Sequence, residues 1–178
     1  MGDQLRRAMG LSSRPDHFGD LIDAWVAIAD RDGLEIDPDV LCSCEKSPHK
    51  ATVEGKVEYY RCVQDPIFLP FLSADVEEVA VHTASPVSGS SIELTVTPTA
   101  IEVEPAETLF SFGVKADVEE PPAAQSPILA HEAFCPYGHA FVSREEYDNW
   151  ASTVDAYTMV IPVETMYDLA RAVGKIVS

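Results

Sequence analysis

Ser91-Ile92-Glu93-Leu94-Thr95-Val96 alternates polar and apolar side chains without a break. Successive side chains of a strand point to opposite faces of the sheet, so this pattern predicts a half-buried strand that continues to about residue 97. Similar short segments surround it and are separated by turn-forming Pro and Gly; they span residues 79–83, 100–103 and 109–114. Their close spacing predicts a mostly antiparallel β core.

Helical patterns lie on both sides of this β region. Apolar residues recur every three or four positions near the N-terminus, as on one face of a helix: Phe18, Leu21, Ile22, Trp25, Ile28 and Ala29. Near the C-terminus, a capping box over residues 143–146 opens a helix to about Ser152, a strand follows over 157–161, and an amphipathic helix covers 163–176. Residues 1–15 are expected to form a loose arm, 45–54 a loop or hairpin tip, and 117–127 an exposed connector.

These elements together predict an α+β fold. We divide the chain into a short helical N-terminal region, residues 1–55, and a β-rich core with late interleaved helices, residues 56–178. A chain of 178 residues with 46% hydrophobic residues is long enough to bury a core without disulfides.

The charge balance narrows the range of partners. Asp and Glu number 30 against 12 Lys and Arg, which gives a formal net charge of −18. Such a field repels nucleic acid and anionic membranes, so neither is an expected partner. A large negative charge keeps a protein soluble in high salt. We therefore expect a protein from the cytoplasm of a halophile, and the alternative is an ordinary acidic enzyme. The N-terminal arm carries Arg6 and Arg7 without an apolar run behind them, so we expect neither a signal peptide nor a membrane span.

Four cysteines are the residues with the most distinctive chemistry: Cys42, Cys44, Cys62 and Cys135. In a cytoplasmic protein they indicate thiol chemistry or metal binding more than a disulfide framework. In Cys62-Val63-Gln64-Asp65 a thiol and a carboxyl lie three positions apart. Asp65 also precedes Pro66 and the apolar segment 67–72, so a purely structural role as a helix N-cap stays open. A helix N-terminus would lower the pKa of a nearby thiol.

Two other kinds of site use the same residues. A structural zinc site could combine Cys42 and Cys44 with His49 and Cys62, or use Cys135 and His139, but Cys-x-Cys is shorter than the usual spacing of zinc ligand pairs. A Cys/His nucleophilic site could pair Cys62 or Cys135 with His82, His131 or His139, although nothing in the sequence indicates which residues meet.

Four segments in order resemble the alkylmercury (organomercurial) lyase family. They are Tyr-x-x-Cys-x-x-Asp over residues 59–65, the β stretch from His82 to Pro98, Val103-Glu104-Pro105-Ala106, and Phe134-Cys135 with Trp150-Ala151-Ser152 behind it. The resemblance runs from about Val57 to the C-terminus. It implies a small helical, winged-helix-like N-terminal part on a β-rich core.

The resemblance also implies an activity, protonolytic cleavage of a carbon–mercury bond to a hydrocarbon and Hg(II) without an organic cofactor. Cys62 and Cys135 then correspond to the two thiolates that bind mercury, and Asp65 to the proton shuttle, which is also one of the groups around the mercury. Thiolate is the ligand that a soft metal prefers. Expected partners are the organomercurial substrate, small-molecule thiols and a mercuric reductase that accepts Hg(II). The alternative is a metallochaperone or metal-responsive regulator that binds metal through the same thiols without turnover.

Some residues depart from the family pattern or stand outside it. Thr83 occupies a strand position where the family has a further, structural cysteine, a change expected to affect stability rather than chemistry. Arg61 stands where an aromatic residue is expected and could lower the pKa of Cys62 or repel a cationic substrate. Cys42 and Cys44 are additional and could relay Hg(II) from the site as a dithiol. Apolar walls around the site are expected from Tyr59, Phe68 and Phe134, which could equally be ordinary core aromatics.

Overall fold

The computed structural model describes residues 1–17, 19–21, 23, 24, 27, 41–43, 45–118 and 131–177. Eight strands lie in this part of the chain: β1 (His49–Val53), β2 (Lys56–Tyr60), β3 (Val79–Ala84), β4 (Ser91–Val96), β5 (Ile101–Glu104), β6 (Leu109–Lys115), β7 (Ala140–Phe141) and β8 (Ala156–Ile161). The labelled helices are α1 (Gly2–Met9), α2 (Leu69–Leu72), α3 (His131–Phe134), α4 (Arg144–Ala151) and α5 (Val163–Val177). Short 3-10 turns, Asp65–Phe68 and Cys135–Tyr137, precede α2 and follow α3.

The strands form two antiparallel sheets. The larger has the order β2-β1-β3-β4-β5 and the smaller β7-β6-β8. Strand β4 pairs with β3 through Leu94 opposite Val81, and with β5 through Leu94 opposite Val103. The alternation of its sequence appears directly in its burial, because Ile92, Leu94 and Val96 are all buried. The predicted α+β fold with a mostly antiparallel β core is therefore confirmed.

Two predictions about the first 55 residues are wrong. The predicted loop at 45–54 contains strand β1, which pairs with both β2 and β3 and so lies inside the larger sheet. The predicted loose arm contains helix α1, because Leu5, Ala8 and Met9 form an apolar face that is buried in a small core with Val114 of β6. The sheet thus begins before residue 56, although the division of the chain into two domains stays a prediction.

Other predicted elements fall partly outside the described residues. In the predicted N-terminal helix, the described residues 19–21, 23, 24 and 27 are helical, whereas Phe18, Ile22, Trp25, Ile28 and Ala29 lie outside the description. Most of the predicted connector lies outside it as well. A winged-helix arrangement of the N-terminal part therefore stays a prediction. No helix among the described residues is long and apolar enough to cross a membrane.

Helix α5 anchors the segment that follows Cys62. Its buried residues, among them Met166, Leu169 and Ala170, belong to the main core together with both sheets. It crosses α2 so closely that a side chain at Gly174 would overlap Phe71. The sequence 143–146 caps α4 as predicted, since the Ser143 side chain accepts a hydrogen bond from the Glu146 backbone N–H at 3.2 Å.

A buried histidine joins the N-terminal strand of the larger sheet to its neighbour. His49 is 1% exposed, and its Nδ1 lies 2.7 Å from Oγ1 of the fully buried Thr83. Its ring lies beside that of His139, with centroids 5.6 Å apart. Burial and the nearby His139 together lower the pKa of His49 from 6.5 to about 3. The fold therefore holds this imidazole neutral.

Acid is expected to destabilise the fold through His49. Because its pKa is lower in the folded state, its contribution is complete above pH 6.5 and is lost as the pH falls toward 3. In chemical denaturation over this range, the free energy of unfolding of wild type should fall more steeply than that of His49→Gln, by up to about 1.4 kcal/mol per pH unit. Val87→Ala, at an exposed position between β3 and β4, removes no titratable group and is the control that should keep the wild-type slope. Equal slopes for wild type and His49→Gln would contradict this assignment.

Candidate functional site

The first cysteine lies in a tight turn after strand β2. Cys62 follows the end of β2, and Asp65 begins the 3-10 turn Asp65–Phe68 that leads into α2. The Asp65 carboxylate accepts a hydrogen bond from the Cys62 backbone N–H at 3.3 Å. The residue before the turn, Gln64, supplies no side-chain cap. The structural interpretation of Asp65 as an N-cap is therefore wrong. Gln64 occupies the N-cap position, and the Asp65 carboxylate accepts its hydrogen bond from the backbone of Cys62.

The second cysteine opens the other 3-10 turn. Cys135 follows helix α3, and the backbone N–H of Gly138 donates to the Cys135 carbonyl at 3.1 Å to close the turn. The chain then enters β7, which pairs with β6 of the smaller sheet. The two cysteines thus come from turns that follow elements far apart in the sequence.

These turns bring a thiol pair and a carboxylate together. The Sγ atoms of Cys62 and Cys135 and a carboxylate oxygen of Asp65 all lie within 4.8 Å of one another. Among the residues that the structure describes, this is the single group of three or more His, Cys, Asp or Glu side chains arranged to hold a metal ion. The exposed fractions are 5% for Cys62, 7% for Asp65 and 9% for Cys135, so the group is nearly sealed from solvent.

The two turns are joined through Ser111 of β6, which is fully buried. Its carbonyl accepts a hydrogen bond from Nε2 of Gln64 at 2.5 Å. Its hydroxyl donates to the Tyr137 carbonyl at 2.7 Å and accepts from the His139 backbone N–H at 3.0 Å. One residue of the smaller sheet therefore holds both cysteine turns.

A direct contact at Gly138 completes the junction. The Val63 backbone N–H donates to the Gly138 carbonyl at 3.3 Å. A Cβ at position 138 would overlap the side-chain oxygen of Gln64 and would lie 2.8 Å from the Cβ of Cys62. Glycine is therefore required at this position by close approach of the turns rather than by an unusual backbone angle.

The surroundings keep Cys62 protonated. Its hydrogen bond with Cys135, its burial and the negative charge of Asp65 all raise the pKa of the Cys62 thiol well above its usual range. The net shift is opposite to the lowering that a helix N-terminus or Arg61 could cause, because the hydrogen bond with Cys135 and burial are its largest causes. A base is therefore needed to activate this thiol, and Asp65 lies beside it.

The remaining cysteines lie apart from this group or outside the description. Sγ of Cys42 donates a hydrogen bond to a carboxylate oxygen of Glu58 at 3.3 Å, and Tyr60 donates to the same oxygen at 3.1 Å. Cys44 lies outside the described residues, so the predicted dithiol relay stays a prediction. The zinc ligand set of Cys42, His49 and Cys62 is not brought together among the described residues.

The histidines of the alternative Cys/His site have other contacts. Nδ1 of His82 lies 3.5 Å from the Glu93 carboxylate on the half-exposed face of β3. Nε2 of His139 lies 3.0 Å from the Pro136 carbonyl, and its ring packs edge-on against Trp150. The side chain of His131 lies outside the description. Burial lowers the pKa of His139, so this ring is neutral and supports the Cys135 turn as a packing element.

Both phenylalanines among the predicted aromatic walls pack against a core. Phe68 belongs to the 3-10 turn that begins with Asp65 and packs against the main core. Phe134 stacks on Phe112 at 5.9 Å in the small core beneath α1. Tyr59 is half-buried, and its carbonyl accepts a hydrogen bond from the Ser43 backbone N–H at 2.6 Å. Phe134 therefore fits the core interpretation.

Three residues that organise the site were missed in the sequence. Gln64 lies between the cysteine and the aspartate, and Gly138 lies three residues after Cys135, so both were within reach of motif reading. Ser111 carried no signal, since its position on β6 gains meaning only when the smaller sheet brings it between the turns.

Comparison with known proteins agrees with the site. Residues 42–175 match the model of the family described as alkylmercury lyase. A curated alkylmercury lyase from Staphylococcus epidermidis is 31% identical over 131 residues, which cover 72% of this chain; the chain spans about half, 54%, of the length of that relative. A crystal structure described as the mercury-bound form of MerB2 has a TM-score of 0.57 and 15% identity, and the match covers 99% of this chain and 100% of that chain. At this identity the structural likeness demonstrates a shared fold. The family match covers most of the sequence and includes both cysteine turns, so the chain belongs to the alkylmercury lyase family.

Proposed function

We propose that this protein cleaves the carbon–mercury bond of organomercurials by protonolysis, releasing a hydrocarbon and leaving Hg(II) on two thiolates. The observation that carries the proposal is the approach of Cys62, Asp65 and Cys135 within 4.8 Å. Two sulfurs suit a soft metal, and a carboxyl beside them can move a proton. Membership of the alkylmercury lyase family supports the same reaction.

The steps conserve atoms and charge. One thiol displaces the original ligand of R–Hg⁺ and its proton leaves with that ligand. Asp65 accepts the proton of the other thiol, whose sulfur then joins mercury. With two thiolates bound, the electron pair of the C–Hg bond stays on carbon, which takes the proton from Asp65 and departs as R–H. Mercury remains Hg(II) throughout, so no redox partner is required.

Burial lets the Asp65 carboxyl act first as a base and then as an acid. The Cys62 thiol is held protonated by Cys135, burial and Asp65, so it carries the proton that the carbon requires until a substrate arrives. Since all three side chains are less than 10% exposed, water competes weakly as a proton source or mercury ligand. A protein that merely stores metal would gain nothing from a carboxyl in this position.

The proposal extends to partners and setting. Mercury is the substrate's metal, and no organic cofactor enters the reaction. Small-molecule thiols or a mercuric reductase remove Hg(II) from the two cysteines. The protein acts in the cytoplasm, where thiols stay reduced. Its net charge of −18 suits a halophile.

The decisive activity test is release of free hydrocarbon from phenylmercury with excess small thiol at high salt. We expect turnover by wild type and a loss of at least about 100-fold for Cys62→Ser, Cys135→Ser and Asp65→Ala. Asp65→Ala should still bind mercury, since both sulfurs remain. Cys42→Ser, which changes a thiol bonded to Glu58, is the matched control and should retain turnover of the bound substrate.

Two results would overturn parts of this assignment. Stoichiometric Hg(II) binding by wild type without hydrocarbon release would identify the metal-binding alternative. Loss of mercury binding by a folded Asp65→Ala variant would show that the aspartate is a ligand rather than a proton shuttle.

The titration of Cys62 leads to a separate prediction. In a background with Cys42→Ser and Cys44→Ser, the alkylation rate of Cys62 should remain low at neutral pH and rise only above the usual thiol range of about 8.5. Cys135→Ala and Asp65→Asn should each shift this profile to lower pH, because each removes an interaction that raises the pKa of Cys62. Rate measurements against pH with a small alkylating reagent test this, with peptide mapping to identify the modified cysteine. A profile unchanged by both substitutions would show that neither neighbour raises the pKa of Cys62.

A further inference from the structure

We propose that Gln64, through its hydrogen bond to Ser111, and Gly138, through its close approach to Cys62 and Gln64, are positioning residues that set the separation of the two cysteine sulfurs. This inference rests on the proposed function for its consequence in catalysis. Its structural part concerns the thiol pair alone. Neither residue is a mercury ligand or a proton carrier in the reaction above.

Each cysteine lies in or beside a short turn. Cys62 lies between β2 and a 3-10 turn, and Cys135 is the first residue of a three-residue 3-10 turn that follows a four-residue helix. Short elements of this kind fix a side chain less firmly than a long helix or a central strand. The spacing of the sulfurs therefore depends on contacts between the turns.

Buried hydrogen bonds connect the two turns through Gln64 and Ser111. The Gln64 side chain donates to the Ser111 carbonyl, while the hydroxyl of the same serine binds Tyr137 and His139 on the second turn. Gln64 is 7% exposed and Ser111 fully buried, so these hydrogen bonds are shielded from water. A donor lost at Gln64 would leave the Ser111 carbonyl without its side-chain partner in a buried setting.

Gly138 determines how closely the two turns approach each other. The absent side chain of Gly138 lets the second turn approach the Cβ of Cys62 and the amide of Gln64 at the same time. Any larger residue must push the turns apart at a point directly beside Cys62. Hydrogen bonding by Gln64 and close approach at Gly138 therefore act on one quantity, the distance between the sulfurs.

The consequence is specific to the step that needs both sulfurs. Capture of R–Hg⁺ requires one thiol, whereas activation of the carbon requires the second. Displacement of the turns should thus lower kcat more than it raises KM. A displacement of about 1 Å can reduce a rate by about 100-fold.

The test uses the Cys42→Ser, Cys44→Ser background, in which Cys62 and Cys135 are the remaining cysteines. Hg(II) affinity is measured by competition with a small dithiol, with and without Cys135→Ser. The ratio of the two affinities is proportional to the effective concentration of the second thiol, so a change in this ratio between variants measures a change in that concentration. It reports the positioning of the thiol pair whether or not the protein turns over an organomercurial.

The variants are Gln64→Met, which keeps the length but removes the donor, Gly138→Ala, and both together. Gly19→Ala is the control, because a Cβ there meets nothing within 4 Å. We expect each site variant to lower the effective concentration by about tenfold or more, with a parallel loss of kcat. The effects should not add in the double variant, since both act on one junction. The control should match wild type.

The outcomes separate this inference from the proposed function. A fall in effective concentration without wild-type hydrocarbon release would sustain the positioning role and reject the lyase. An unchanged effective concentration in folded Gln64→Met would overturn the positioning role, even if the thermal stability of this variant fell. The Gln64→Met result decides the question by itself if Gly138→Ala fails to fold.

Discussion

The close approach of the two cysteine turns is the constraint on which the site depends. Neither turn belongs to a long element, and the sheets they adjoin are different. A backbone hydrogen bond from Val63 to Gly138 and the buried polar groups of Ser111 hold them at contact distance. The main core fixes the first turn from behind through α2 and α5, and β6 fixes the second. Apolar packing of the two turns therefore fixes the distance between the two sulfurs.

Burial then determines how the thiols behave. In an exposed setting, a carboxylate near a cysteine would have little effect on it, because water screens the charge. In this buried site the same neighbours raise the pKa of Cys62, and the thiol is kept protonated. We expect such a thiol to react slowly with carbon electrophiles that alkylate sulfur, because they require thiolate. Under the proposed function, an organomercurial differs from them, since its mercury binds sulfur strongly and its carbon accepts the displaced proton.

Much of the fold could be predicted because its elements are defined by local patterns. Strand β4 alternates cleanly, and α4 begins at a serine cap. The errors have a different origin. Strand β1 contains the polar residues His49, Lys50 and Thr52, so its sequence resembles a loop, and its pairing with β3 determines its structure. Helix α1 becomes stable because its short apolar face covers Val114, a residue more than 100 positions away in the sequence. Local sequence patterns cannot predict contacts between residues that are far apart in the sequence.

The same distinction applies to the site. The cysteines and aspartate were identified by motif and family resemblance, yet their mutual distance and the role of Ser111 required the tertiary structure. Thr83 shows the same dependence on tertiary contacts. Where the resemblance implies a further structural cysteine, this chain has a hydroxyl that is paired with the buried His49. A buried hydroxyl without a partner would be destabilising, and a buried imidazole likewise. Each satisfies the other, and the His49 ring in turn packs beside His139, which follows the Cys135 turn. The departure at Thr83 is therefore compensated within the sheet, and its effect reaches the site only through the packing that supports the second cysteine.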